Sequence, residues 1–172
     1  VSNLAPGSDP VNIPELGIPE NISKDVLITQ FNNKEVTEKI IKANKNDIGA
    51  VIVEPMMGAS GMVPQRDDYL KFLREITTEH DILLIFDEVI TGRLSTGGLQ
   101  EVYGVKPDLT TLGKIIGGGF PVGACGGRED VMDLFSPKRK EFIHHSGTFN
   151  GNAITMEAGI ASLEALTSSA IE

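Results

Sequence analysis

Two residues of this chain, a lysine and an aspartate, combine a reactive side chain with an apolar setting. Lys114 lies in LTTLGKIIGGG over residues 109–119, between an apolar run and three glycines, and Asp87 ends the run LLIFD over residues 83–87. Such an amine and counter-charge suit pyridoxal phosphate, because its aldehyde takes a lysine as Schiff base and its ring nitrogen needs an acidic partner. Either residue alone is more often a solvated surface charge or a turn cap, so the pair together carries the prediction.

Alternating strands and helices are predicted to position these two residues. The β-branched run GAVIVE over residues 49–54 is typical of a central strand buried on both faces. Further strands are predicted over residues 82–86, 108–112 and 123–127. Helices are predicted over five segments: residues 34–45, 67–80, 98–103, 128–135 and 152–166. Asp67 is the predicted cap of the second of these helices.

This alternation predicts an α/β fold of three layers, in which helices cover both faces of a mostly parallel sheet. Residues 1–30 are rich in proline and glycine and are predicted to form an extended leader, with residues 31–172 as the folded core. In sheets of this kind, ligands bind at the carboxyl ends of the strands. Glu54 and Asp87 lie at two such ends and Lys114 closely follows a third, so the three residues are predicted to share a site.

Length, charge and composition argue against several other classes of protein. The 172 residues fit one domain, and the net charge of −9 argues against a nucleic-acid partner. No segment approaches the ~20 apolar residues of a membrane span, so no membrane partner is expected. The single cysteine, Cys125, is compatible with a reducing compartment, and a cytoplasmic location is expected. No metal site is expected, because His144 and His145 are adjacent and His80 stands alone.

Four ordered motifs give the chain a family resemblance. They are EPxxGxxGxxP from Glu54, FDEVxTG from Phe86, PDLxxLGKxxGGG from Pro107 and GTFxxN from Gly147. Together they resemble the class III aminotransferases, which are fold-type I pyridoxal-phosphate enzymes. Within the class, PVGA at residues 121–124 and the GTFN of the fourth motif are similar to the subgroup of glutamate-1-semialdehyde aminomutase and the β-amino-acid aminotransferases.

The resemblance implies a role for each of five residues. Lys114 would form the Schiff base and then move a proton between substrate and cofactor, while Asp87 would keep the ring nitrogen protonated. Val89 would pack against the ring from the same strand face as Asp87. Thr148 would donate its hydroxyl to the cofactor phosphate across a dimer interface, with an ordinary helix entry as the alternative. Glu54 would lie near the cofactor, with stabilisation of its own turn as the alternative.

The chain departs from the family pattern in three ways. After the Thr-Gly pair of the second motif, where many relatives carry an aromatic residue, it passes directly to Arg93, as the β-amino-acid aminotransferases do. Arg93 is predicted either to face a substrate or interface carboxylate or to pair with Glu88 or Glu101. Ala59 stands where the aminomutase often has asparagine, which weakens that assignment. Finally, the N-terminal segment and the C-terminal small domain of full-length relatives are absent from these residues.

The leading hypothesis is a pyridoxal-phosphate-dependent transaminase, which moves an amino group between an amino acid and a keto or aldehyde acceptor, as a homodimer. An intramolecular aminomutase is the alternative within the same family. A non-catalytic fragment or scaffold is the alternative from another class. A nucleotide-binding Rossmann domain is a weaker alternative, because the three glycines after Lys114 do not form a G-x-G-x-x-G fingerprint.

Overall fold

The computed structural model describes residues 24–171, together with Gly17, Pro19 and Ile22. The leader predicted over residues 1–30 therefore lies mostly outside the described residues. The strands of the described part are β1 (Ala50–Val53), β2 (Met56–Met57), β3 (Val63–Pro64), β4 (Leu83–Asp87), β5 (Leu109–Gly113) and β6 (Gly123–Gly127). Its α-helices are α1 (Lys34–Asn44), α2 (Tyr69–Glu79), α3 (Gly98–Tyr103), α4 (Glu129–Met132), α5 (Ala153–Ala165) and α6 (Ser168–Ile171).

Four of these strands form one sheet in the order β1-β4-β5-β6. β4 runs parallel to both β1 and β5, whereas β6 runs antiparallel to β5. β2 and β3 form a separate antiparallel ribbon. Helix α2 connects β1 with β4 and helix α3 connects β4 with β5, so strands and helices alternate along the mostly parallel part of the sheet as predicted.

The main core lies between helix α2 and one face of β4. Tyr69, Leu70 and Leu73 of the helix form a buried cluster with Leu84 and Phe86 of the strand. Burying an aliphatic or aromatic side chain of this size contributes about 1.5–3 kcal/mol. The alternate residues of β4, including Asp87, face the other side of the sheet and are only partly buried. One face of β4 therefore packs into the core, and the other face remains accessible to a ligand.

The prediction for the first strand is wrong in one respect. β1 lies at an edge of the described sheet, and Ile52 at its centre is 62% exposed. Val51 and Val53 pack against the buried clusters on the α2 side, so only one face of the strand is covered by the described residues. The β-branched run correctly indicated a strand but not how many of its faces are buried.

The prediction that Asp67 caps helix α2 is also wrong. The helix begins at Tyr69 with Asp68 in the cap position, and no side-chain hydrogen bond caps it. Asp67 and Asp68 both adopt left-handed backbone conformations, with φ of 52° and 55°. Aspartate tolerates this conformation better than most residues, and here the pair makes a turn instead of an N-terminal cap.

The remaining helix predictions are confirmed with small shifts at their ends. Helix α3 has the predicted bounds, and α5 begins after Asn152, whose side chain accepts a hydrogen bond from the Thr155 N–H at 3.2 Å. Helix α4 ends at Met132, and the chain continues as a turn of 3-10 helix, Asp133–Phe135. Within the described ranges, no helix is long and apolar enough to cross a membrane.

A buried carboxylate joins β5 to three other segments. Asp108, whose side chain is 7% exposed, accepts the backbone N–H of Leu84 at 2.7 Å and ion-pairs with Arg74 and Arg128, both at 2.9 Å. Burial alone would raise the pKa of Asp108, but the Leu84 N–H and the two guanidinium groups outweigh it and hold that pKa below its ordinary value. The carboxylate is therefore charged and fully used in stabilising the fold.

Replacing Asp108 by alanine should lower the free energy of unfolding by about 3 kcal/mol, because it leaves the Leu84 N–H and two arginines without their acceptor. Urea unfolding monitored by circular dichroism measures the effect. Asp130→Ala is the matched control, since it removes the 64% exposed second partner of Arg128. The control should change the stability by less than about 1 kcal/mol. Equal effects of the two substitutions would contradict the role assigned to Asp108.

Candidate active site

Asp87 and Lys114 emerge from neighbouring strands at the same edge of the sheet. Asp87 is the last residue of β4 and pairs with Thr111 of β5, and Lys114 follows the last residue of β5. The next backbone N–H, that of Glu88, donates to the Thr111 carbonyl at 3.0 Å. Parallel neighbouring strands lie about 4.8 Å apart. The structure therefore brings together the two residues that the sequence singled out.

Lys114 has an uncommon backbone conformation. It is the first residue of a 3-10 turn, Lys114–Gly117, and has a left-handed φ of 50° with an exposed side chain. For a residue with a Cβ atom this conformation costs about 1–2 kcal/mol. Such residues persist only where the surrounding structure fixes them, and they are concentrated at functional sites. Five other described non-glycine residues share a positive φ, so the conformation supports a role for Lys114 only together with its position just after β5.

Asp87 has one carboxylate oxygen available for a ligand. Its Oδ1 accepts the Val89 N–H at 3.0 Å, and its Oδ2 has no hydrogen-bond partner in the part of the chain that the structure describes. The prediction that Val89 shares a strand face with Asp87 is wrong, because β4 ends at Asp87 and Val89 lies in the following turn. Val89 nevertheless packs against Gly113, where a Cβ would come within 3.3 Å of a Val89 methyl carbon. An apolar side chain thus lies between the end of β4 and the residue that precedes Lys114.

Glu54 stabilises its own turn. Its Oε2 accepts the backbone N–H of Gly58 at 3.0 Å, which is the alternative that the sequence left open. Gly58 in turn packs against Ile90, whose side chain would overlap a Cβ at that position. The first motif therefore lies against the residues that follow Asp87. No hydrogen bond joins Glu54 to Asp87 or Lys114 within residues 24–171, and its role near a cofactor stays a prediction.

Thr148 has no hydrogen bond to the other predicted site residues in the part of the chain that the structure describes. It is exposed in a turn that closes with a hydrogen bond from the Asn150 N–H to the Gly147 carbonyl at 3.0 Å. The turn leads into helix α5. Hydrogen bonds between described residues connect Thr148 with neither Lys114 nor Asp87. Its predicted hydroxyl contact with a phosphate across a dimer interface stays a prediction.

Glu88 is a buried carboxylate whose structural role sequence reasoning missed. It is 1% exposed and accepts hydrogen bonds from the Thr91 hydroxyl at 2.7 Å and from the backbone N–H groups of Leu99 and Gln100 at 2.9 and 2.8 Å. It thereby caps the N-terminus of helix α3 from the residue that follows β4. The available signal was an acid at an apolar strand end followed by a short helix that has no capping side chain of its own.

Arg93 forms neither of the ion pairs that the sequence offered. Glu88 is occupied by helix α3, and Glu101 accepts the Ser95 hydroxyl at 2.8 Å and the Gly97 N–H at 3.1 Å. Arg93 is exposed, and it has no ion pair among the residues that the structure describes. The possibility that it faces a substrate or interface carboxylate therefore stays open.

Comparison with known proteins places this site in a family. The profile of the family described as aminotransferase class-III matches residues 5–172. The chain belongs to the class III aminotransferases. Its resemblance to that family, stated from four motifs, is thereby confirmed.

Three relatives show which members of the family this chain is similar to. Glutamate-1-semialdehyde 2,1-aminomutase of Methanococcus maripaludis is 55% identical over 151 residues, 87% of this chain and 35% of that protein. An omega-transaminase from Sphaerobacter thermophilus has 43% identity and a TM-score of 0.87, covering 91% of this chain and 36% of that one. A β-phenylalanine aminotransferase from Variovorax paradoxus has 47% identity and a TM-score of 0.81, covering 84% and 34%. The class III chain thus spans about a third of the length of these relatives.

Family membership confirms two of the predictions from the sequence. The solved structures confirm the mostly parallel α/β fold of a fold-type I enzyme, and the family confirms pyridoxal phosphate as the cofactor. The described residues fit that cofactor. Lys114 presents an exposed amine, Asp87 has an oxygen without a partner, and Val89 offers an apolar surface beside them.

If the backbone at Lys114 is strained, glycine at position 114 should give a more stable fold than alanine, by about 1 kcal/mol, because alanine keeps the Cβ that disfavours a left-handed φ. Urea unfolding of the cofactor-free Lys114→Gly and Lys114→Ala variants measures the difference. The same pair of substitutions at Lys106, which is exposed and has no positive φ, should show the opposite order. An alanine variant at position 114 as stable as the glycine variant would argue against strain at this position.

Proposed function

We propose that this chain is the cofactor-binding core of a pyridoxal-phosphate-dependent aminotransferase that moves an amino group from an amino acid to a keto or aldehyde acceptor. The observation that carries the proposal is the pairing of an exposed Lys114 with a left-handed φ, just after β5, with a partly buried Asp87 at the end of β4. Pyridoxal phosphate, when bound, supplies an aldehyde that condenses with amines and a ring that accepts electrons from the substrate carbon.

Lys114 has two tasks in this proposal. Its Nζ holds the cofactor between turnovers, and after release by the substrate amine the same Nζ acts as the base that removes a proton from the substrate carbon. A base must lie within about 3 Å of the proton it moves, so the position of the Lys114 backbone determines the reach of Nζ. The fixed 3-10 turn that begins at this lysine supports such a task.

Asp87 and Val89 orient the ring in this proposal. Oδ2 of Asp87, which has no hydrogen-bond partner among the described residues, would accept a hydrogen bond from the protonated ring nitrogen and keep it charged, while Oδ1 remains bonded to the Val89 N–H. The Val89 methyl groups support one face of the ring. Thr148, exposed on its turn, is available to a phosphate held by a second copy, so a homodimer is part of the proposal.

An intramolecular aminomutase is the second candidate. The 55% identity to glutamate-1-semialdehyde 2,1-aminomutase of Methanococcus maripaludis favours it, whereas Ala59 and the Arg93 form of the second motif favour the aminotransferase. Both reactions use the same lysine and aspartate, and they differ in whether one molecule provides both carbons. Isomerisation without a second substrate identifies the aminomutase. A keto product that accumulates only when an acceptor is added identifies the aminotransferase.

Borohydride reduction after addition of pyridoxal phosphate should attach the cofactor to Lys114, because reduction makes the link between the aldehyde and Nζ permanent. Mass mapping of the labelled peptide, in the complete protein, locates the attachment. Lys114→Ala should lose the label, while Lys106→Ala should keep it. A protein labelled at no lysine, or weakly at many, would contradict the proposal and favour the non-catalytic scaffold.

Asp87→Asn should keep the label on Lys114 but slow proton transfer from the substrate by about 100-fold or more, because asparagine cannot hold the ring nitrogen in its charged form. Stopped-flow absorbance with the fastest donor from a panel of α- and β-amino acids measures that single step. Asp81→Asn, at an exposed aspartate just before β4, is the control and should react at the parental rate. An Asp87→Asn protein as fast as this control would remove Asp87 from the site.

A further inference from the structure

The carbonyl oxygen next to Lys114 receives two hydrogen bonds. The Ile115 carbonyl accepts the Gly118 N–H at 3.2 Å, which closes the 3-10 turn, and the Ser162 hydroxyl of helix α5 at 2.9 Å. A serine inside a helix commonly bonds to the carbonyl four residues earlier in its own helix. Ser162 instead donates to a residue 47 positions away. This hydroxyl is therefore committed to the turn that carries the lysine.

Two glycines let helix α5 approach close enough for this bond. A Cβ at Gly159 would overlap the Ile116 carbonyl, and a Cβ at Gly118 would overlap the Ala158 carbonyl. Gly118 also has a left-handed φ of 58°, which glycine adopts without strain. The helix and the turn thus meet through their backbones, and Ser162 provides the directional contact between them.

We propose that Ser162 is a positioning residue for Lys114, acting through the Ile115 carbonyl. The inference rests on the proposed function of Lys114 as the cofactor-binding lysine. Because a left-handed lysine relaxes unless its surroundings hold it, loss of the hydroxyl frees the turn to rotate. Nζ lies at the end of a flexible stem, so a rotation at the backbone displaces it from the ring. A displacement of about 1 Å at a reacting group is enough to impair catalysis.

A purely structural role for Ser162 predicts a different outcome from a positioning role. If the hydroxyl only stabilised the packing of helix α5, its loss would lower the melting temperature and leave the chemistry of Lys114 unchanged. If it positions the lysine, its loss also changes how the amine binds the cofactor and at which pH. The visible absorbance of the lysine-bound cofactor, followed against pH, reports this second property.

The test compares Ser162→Ala with Ser162→Thr, which keeps a hydroxyl, and with Ser168→Ala, an exposed serine of α6, all in the complete protein. In Ser162→Ala the hydrogen exchange of the Gly118 amide should be about five-fold faster, and the dissociation constant of the cofactor should be about five-fold higher. A factor of about five corresponds to the loss of one hydrogen bond. The midpoint of the absorbance titration should move by about half a pH unit or more. Ser162→Thr should restore all three values, and Ser168→Ala should leave them unchanged.

The proposal is overturned if Ser162→Ala folds with a lower melting temperature but keeps the parental titration midpoint and cofactor retention. It is also overturned if Ser162→Thr, once folded, behaves like the alanine variant. Failure of the proposed function has a different signature, because the parental protein would then carry no label on Lys114. In that case the pKa of the Lys114 amine is measured by competitive acetylation in the same variants without cofactor. Equal pKa values in the parental protein and in Ser162→Ala overturn the positioning role.

Discussion

The parallel register between β4 and β5 is the constraint on which the rest of the structure depends. It is fixed at its start by a reciprocal pair of hydrogen bonds, from the Asp108 N–H to the Leu84 carbonyl at 2.8 Å and from the Leu84 N–H to the Asp108 carboxylate at 2.7 Å. A slip of one residue would turn every side chain of a strand to the opposite face. Leu84 and Phe86 would then leave the core, and Asp87 would leave the edge that it shares with Lys114. A carboxylate in the core thus determines the geometry at the far end of the strand.

Two acids in succession, the last residue of β4 and the first residue after it, have separate functions because the fold gives them different partners. Glu88 turns toward helix α3, where three donors occupy its carboxylate and it is 1% exposed. Asp87 turns toward the site, where the Val89 N–H is its one hydrogen-bond partner among the described residues. The Glu88 carboxylate is fully used in hydrogen bonds that stabilise the fold, whereas the partly buried Asp87 can still bind a ligand. Neighbouring residues of the same chemical type are thus distinguished by the hydrogen-bond partners that the fold gives each of them.

The sequence predicted what depends on short-range pattern. Apolar runs and their ends located β4, β5 and helix α3, and the motifs around Asp87 and Lys114 identified the family. The exposure of β1 was not predictable, because a β-branched run has the same composition whether one or two of its faces are covered. The cap at Asp67 failed because the backbone conformation of two successive aspartates decides whether a carboxylate can reach the helix.

The contacts that hold the site were the least accessible to sequence reasoning. Glu88 bonds to residues 11 and 12 positions away, and Ser162 to one 47 positions away, and each of these bonds joins two separate segments of the chain. In the sequence, small residues of helix α5 such as Gly159 are the available signal that another backbone lies close to this helix. Short-range pattern therefore located the reactive residues, whereas the groups that hold them in place became visible only with the fold.

The separation between Ile115 and Ser162 also sets an order of events during synthesis of the chain. Asp108 finds its arginine partners once residue 128 has emerged, since Arg128 lies 20 positions after it. Ser162 follows later, and at ordinary translation speeds the interval is on the order of seconds. During that interval the edge of the sheet can form while the turn at Lys114 still lacks the hydrogen bond from Ser162. A ribosome-bound intermediate would therefore have the strands of the site in register before the reactive amine is held in place.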